Sequence, residues 1–250
     1  MEHYPFLVKP NVFFAEIQNE GIILDLQGDQ YYALDERSTH LWKTLAEFGD
    51  YNRAKAELQG SLGMLEEEVN HSVSDLFDVA SQARLLPESR EVGCPLPRSL
   101  TGKAAKPSQT YLDPERLLRT AHSSSSVALV SLRLLLIKMQ LRYLKLPRTL
   151  EKLPPLPKKE LPSGTRDKVV YDIRKTLGVV RSLFTRGEPD CLPRSLTMTY
   201  LLRRRGVRSE ICFGIQKFPF EAHAWVESEG EIVSTSDDDR IARYVVIARF

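Results

Sequence analysis

The sequence predicts an α+β protein of two unlike domains, on three observations. The charge changes sign along the chain, the hydrophobic period switches between strand and helix in each half, and a proline-rich stretch lies between the halves. Residues 1–87 hold 6 Lys+Arg against 15 Asp+Glu, a balance of −9, while residues 88–250 carry +11 of the overall +2. Two modules with different partners are implied.

The first module, residues 1–87, opens with three β-branched and aromatic runs, Val12 to Ile17, Ile22 to Leu26 and Gln30 to Leu34, which read as strands. Asn19-Glu20-Gly21 and Gly28-Asp29 supply turn residues at hairpin spacing. Asp35 or Ser38 caps a helix to about Phe48, with Leu41, Trp42 and Leu45 inward. A second helix is expected near Tyr51 to Leu58. A third starts at Glu66-Glu67-Glu68, whose charge suits a helix N-terminus. It is expected to run to Leu86 before Pro87, with Val69, Val73, Leu76, Phe77 and Ala80 on its inner face. Three strands and three helices make this a winged-helix-like unit.

Residues 88–114 are read as a linker, because prolines recur from Pro87 to Pro114 among Gly, Ser and Lys. The second module, residues 115–250, begins with a strongly apolar helix from the serines at 123–126 to about Leu144, where Arg133, Lys138 and Arg142 mark a solvent-facing stripe or edge. A Pro-rich stretch, Leu153 to Pro162, precedes the segment Arg166 to Thr185.

The chemistry concentrates after Pro189. Asp190 is an N-cap residue, Pro193 is tolerated in a first turn and Gly206 suits the left-handed position past a helix end, so a helix starts at Cys191 and runs to Arg205. A cysteine at a helix start faces unpaired N–H groups and the positive end of the dipole, which stabilise the reactive thiolate. Val207 to Ile215 and Ala222 to Glu229 alternate as half-buried strands, the second carrying His223 and Trp225. Ile232 to Thr235 and Arg243 to Phe250 complete the expected strands. A thiol at a helix start with an imidazole on a following strand is a nucleophile–base arrangement. An orienting carboxylate comes from Asp237 if the hairpin loop is Glu229-Gly230-Glu231, because residue 237 then lies opposite His223; a two-residue loop puts Ser236 there.

Composition excludes several classes. Three cysteines, Cys94, Cys191 and Cys212, without a C-x-x-C pair fit neither a disulfide framework nor a zinc site. His3, His40, His71 and His122 lack partners at ligand spacing, so no metal and no cofactor is expected. The longest apolar run, Val127 to Ile137, falls short of the roughly 20 residues of a membrane span. No export signal opens the chain, and the cytoplasm is the expected compartment. A balance of −9 in the first module opposes nucleic-acid binding. Arg203-Arg204-Arg205 is read as compensating the helix dipole or as a docking face.

Cys191-Leu192-Pro193-Arg194-Ser195-Leu196, Leu201-Leu202-Arg203-Arg204-Arg205-Gly206 and His223-Ala224-Trp225-Val226-Glu227 resemble the transglutaminase-like leader peptidases of lasso-peptide biosynthesis, the lasso B proteins. The likeness covers roughly residues 115–250. The first 87 residues resemble the leader-recognition domain of modified-peptide pathways. The resemblance implies a transglutaminase/papain-like cysteine protease fold and hydrolysis of a ribosomal precursor peptide at its leader–core junction. It also implies an ATP-dependent, asparagine-synthetase-like cyclase as partner. The family tends to carry its aspartate at the position of Thr235 here, so a displaced aspartate, another orienting residue or a Cys–His dyad all stay open. The leader is expected to add as a strand to the edge at Gln30 to Leu34 beside the third helix, with Tyr31, Tyr32, Leu34 and Phe77 as contacts. A non-catalytic leader-binding scaffold and a transglutaminase-type acyl transferase are the alternatives.

Overall fold

The computed structural model describes residues 7–49, 51–87, 124–159, 161–184, 191–234 and 241–250. The chain divides into two compact units, Met1–Thr101 and Gly102–Phe250. The linker expected over 88–114 lies outside the described residues.

In the first unit β1 (Val12–Ile17), β2 (Glu20–Asp25) and β3 (Gln30–Leu34) form an antiparallel meander in that order, leaving β3 at an edge. The β1–β2 turn differs from expectation. Ile17 pairs with Glu20, so Gln18 and Asn19 turn the chain, both at positive φ, and Gly21 lies inside β2. Gly21 is needed for close approach: a Cβ there would lie 2.6 Å from the Phe14 ring and 2.9 Å from Thr39 Oγ1. Its N–H donates to that oxygen, fastening the sheet to the first helix.

Three helices cover the sheet: α1 (Glu36–Phe48), α2 (Tyr51–Leu62) and α3 (Glu66–Gln82). Asp35 caps α1 by accepting from Ser38 N–H (2.7 Å), and Gly49 ends it in the left-handed region. Leu41, Trp42 and Leu45 pack with Val69, Val73, Leu76 and Ala80 in one core. At the start of α3 the Glu68 carboxylate accepts from Leu65 N–H. The helix ends four residues earlier than expected. Arg84 turns left-handed, Leu85 N–H reaches back to the Ala80 carbonyl, and Leu85 tucks into the core. Burying Leu85, rather than the arrival of Pro87, sets the end.

The second unit places α4 (Ser124–Glu151), α5 (Ser163–Phe184) and α6 (Cys191–Arg204) beside a four-stranded antiparallel sheet. Its strands are β4 (Glu210–Gln216), β5 (Glu221–Ser228), β6 (Glu231–Ile232) and β7 (Val245–Arg249), in the order β6-β5-β4-β7. α4 is broken at Lys145, which has φ 64, two residues before Pro147. Val226 and Val233 pack with Leu134, Ile173, Leu177 and Leu202 from the helices. A second cluster gathers Cys212, Trp225, Ile232, Ile241, Tyr244 and Val246.

Three expectations are corrected in this unit. Arg142 is exposed as expected, but the solvent side of α4 also carries Leu129, Leu132, Leu135 and Met139, and the Arg133 guanidinium stacks on the Tyr200 ring, 3.2 Å from its centroid. β4 starts at Glu210 rather than Val207, because Val207 completes the stop of α6. Its N–H donates to Leu202 O and that of Gly206, at φ 81, to Arg203 O. Arg203 offers no docking face: its guanidinium donates to the carbonyls of Ser209, Pro154 and Phe250 and ties three segments together.

Candidate functional site

Cys191 opens α6 and is half-buried. Asp190, expected to cap this helix, lies outside the described residues. One turn further on, Ser195 is on the same helix face as Cys191. Its hydroxyl donates to the Ala224 carbonyl at 2.9 Å, within the buried layer between α6 and β5. Ala224 follows His223 directly, so this bond fastens the first turn of α6 to the strand segment that carries the imidazole.

His223 is half-buried near the start of β5 and pairs with Gly214 of β4. Two aromatic rings flank it. Trp225, two residues on and therefore on the same face, stacks at 6.3 Å between centroids and 18° between planes; Tyr244 stacks at 5.3 Å and 29°. Gly214 makes room for them, since a Cβ there would lie 2.5 Å from the Trp225 ring and 3.0 Å from Tyr244 Cβ. A β-bulge in the pairing of β4 with β7 falls between Phe213 and Gly214, bending the sheet at this position.

The rings rest on a polar chain that sequence reasoning missed. Trp225 Nε1–H donates to Glu227 Oε1 (2.8 Å), and the other carboxylate oxygen, Oε2, is bound by Arg249. Arg249 also donates to Cys212 Sγ at 3.2 Å. Burial pushes the Cys212 thiol far above its usual range, and the Glu227 charge adds to this, so Cys212 stays protonated and packs as a small apolar side chain. For Arg249, burial works against the charge, but Glu227 outweighs it and holds the guanidinium protonated. Both Glu227 oxygens are thus engaged along the sheet, by Trp225 and Arg249. The i, i+2 spacing of His223, Trp225 and Glu227 was the available signal.

The β5–β6 hairpin closes with two residues, Glu229 and Gly230, both at positive φ, with Ser228 paired to Glu231. The three-residue loop on which the choice of Asp237 rested is therefore not formed. Asp237 itself lies outside the described residues. Arg166, buried in α5, holds the turn by donating to Ser228 O (3.0 Å) and by ion pairs to Glu229 and Glu231.

These features lie in one recognisable domain. Residues 128–249 match the Transglutaminase-like superfamily. The matched span contains both Cys191 and His223, and a transglutaminase-like domain is consistent with cysteine-protease or acyltransferase chemistry. No curated protein and no solved structure matches the chain. Among the described residues of the transglutaminase-like domain and of the first unit, no cluster of His, Cys, Asp or Glu could hold a metal, and no helix is long and apolar enough to cross a membrane.

In the first unit a groove of about 540 Å³ runs between β3 and α3. It is lined by Ala33, Leu34 and Asp35 on one side and by Ser72, Asp75, Leu76 and Val79 on the other. The α3 residues recur at i, i+3, i+4 and i+7, a face the sequence displays but which was not singled out. Of the four expected leader contacts, Leu34 lines the groove. Tyr31 is exposed on the edge strand, Tyr32 donates its hydroxyl to Gln30 Oε1, and Phe77 packs partly buried against the core.

Proposed function

We propose that the protein is a leader peptidase of lasso-peptide biosynthesis, cleaving a ribosomal precursor peptide between leader and core through Cys191 and His223. The observation that carries this reading is the fastening of the Cys191 turn to the His223 segment, by the Ser195–Ala224 bond, within a transglutaminase-like domain. In the proposed reaction His223 takes the Cys191 proton and the thiolate attacks the carbonyl at the junction. The tetrahedral adduct collapses to a thioester as the core's amine leaves with the proton from His223, and water then releases the leader acid. Asp237 stays the proposed third member, although its register argument has gone.

The edge strand β3 and the groove beside α3 support strand addition by the leader, with Leu34, Tyr31, Tyr32 and Phe77 as the proposed contacts. An ATP-dependent, asparagine-synthetase-like cyclase is the proposed partner for the freed amine, and the cytoplasm the proposed compartment. The test is mass spectrometry of a precursor peptide encoded beside the gene, incubated with wild type and with Cys191→Ala. Cleavage at one bond by wild type alone supports the peptidase. Addition of an amine in place of water identifies an acyl transferase. Absence of both products, with the cyclase present, leaves a leader-binding scaffold.

A further inference from the structure

α4 buries one apolar face and exposes another. Val130, Leu134 and Ile137 are buried, whereas Leu129, Leu132, Leu135, Leu136, Met139 and Tyr143 are 66, 54, 55, 40, 48 and 72% exposed. Leu135 falls on the g flank, and the other five recur at steps of three, four, three and four, the a and d positions of a heptad. At 100° per residue they fall within roughly 80° of the helix circumference, a seam roughly 21 Å long. The seam ends where the backbone leaves the helix at Lys145. Isolated exposed leucines are ordinary, but a contiguous run on one helix reaches the ~300–600 Å² of a typical monomer's largest apolar patch, which is often functional.

We propose that this seam docks an acidic amphipathic helix presented by a partner protein. Charge selects the occupant. From Val127 to Leu150 the chain carries Arg133, Lys138, Arg142, Lys145 and Arg148 and no acidic residue. A second copy laid along the seam in either direction would set this charge against itself, whereas Glu or Asp flanking a partner's apolar stripe complements it. Arg133 and Arg142 occupy the e and g flanks where partner choice is made in paired helices. Stacking on Tyr200 holds Arg133 beside the seam. Spacing argues for a helix rather than a bilayer, because five of the six exposed large apolar residues keep the a/d repeat that a paired helix reads. Tyr143, an amphipathic ring at the seam's end, is the kind of residue that anchors such contacts.

The test uses the full-length protein and a synthetic helical peptide with Leu at the seam positions and Glu at both flanks, read by fluorescence anisotropy. The wild type is expected to bind it, with Leu132→Glu and Leu136→Glu each weakening binding by at least about tenfold and a Lys-flanked peptide binding at least about tenfold worse. Both substituted residues already face solvent, and unchanged urea midpoints establish that the variants are folded. The proposal is overturned if the Glu-flanked peptide does not bind or binds Leu136→Glu equally well. Dimerisation in sedimentation that Leu136→Glu abolishes would instead assign the seam to a second copy. Binding to phosphatidylserine vesicles that Leu136→Glu abolishes would assign it to a membrane surface. None of these measurements depends on catalysis, so the seam and the peptidase reading stand or fall separately.

Discussion

Adding one methyl group at Gly214 tests the architecture around His223. In Gly214→Ala the new Cβ would sit 2.5 Å from Trp225 Cζ3 and Cη2 and 3.0 Å from Tyr244 Cβ, where carbon pairs rest at about 3.5–4.0 Å. An overlap of about 1 Å must be relieved by moving a ring or a strand. Trp225 is fully buried and its Nε1–H is held by Glu227, so moving the indole strands a buried donor. Overpacking costs about 1–3 kcal/mol and an orphaned donor about 1–3 kcal/mol, which places the expected loss near 3 kcal/mol. That is a large share of the ~5–15 kcal/mol by which domains are stable. The assay is equilibrium unfolding in urea on a Trp42→Phe background, which leaves Trp225 as the remaining tryptophan of the two. A lowered unfolding free energy and an altered native emission from Trp225 are expected. An unfolding free energy within about 0.5 kcal/mol of the parent, with unchanged emission, would refute the argument that Trp225 is held in place.

In native protein, iodoacetamide should modify Cys191 and leave Cys212 unmodified until denaturant is added, because Cys212 is buried and protonated; peptide mapping by mass spectrometry checks this. Ser195→Ala removes the bond to Ala224 and should lower stability by about 1 kcal/mol and slow Cys191 alkylation, measured against wild type at the same pH. Glu227→Gln breaks the buried pair with Arg249 and should destabilise by about 3 kcal/mol, read from urea midpoints. The Asp35 carboxyl is held below its usual value chiefly by the Ser38 backbone N–H. Its folded pKa is thus lower than its unfolded one, so the contribution is present above about 3.8 and is lost as pH falls through the folded value. Asp35→Ala should cost about 1 kcal/mol at neutral pH, and the gap to wild type should close in acid.

Much of the fold was legible because its elements announce themselves locally. The three strands of the first unit, the cap at Asp35, the inner faces of α1 and α3, and a helix bounded by Cys191 and Gly206 all follow from period and end residues within a few positions. The placement of Cys191 at a helix start and of His223 on the second strand after it was legible for the same reason. Elements set by distant contacts were not. Gly21 reads as a turn glycine until α1 is seen against it, and the end of α3 reads as Pro87 until Leu85 is seen in the core. The hairpin after Ser228 has turn residues compatible with two loop lengths, and Arg166 from α5 grips the shorter one.

By itself, the sequence determined that this is an α+β chain with an acidic strand-and-helix module and a later module carrying Cys191 and His223 at chemically suitable positions. Only the tertiary structure decided what surrounds them. The stacking of Trp225 and Tyr244 on His223, the engagement of both Glu227 oxygens and the three carbonyls on Arg203 each join residues from separate elements, and the exposed seam of α4 is the face that the packing of that helix leaves in water. Period and propensity report what a residue prefers next to its chain neighbours. Which side chains meet across a sheet, and which apolar face is left in water, depends on strand register and helix placement that no single segment encodes.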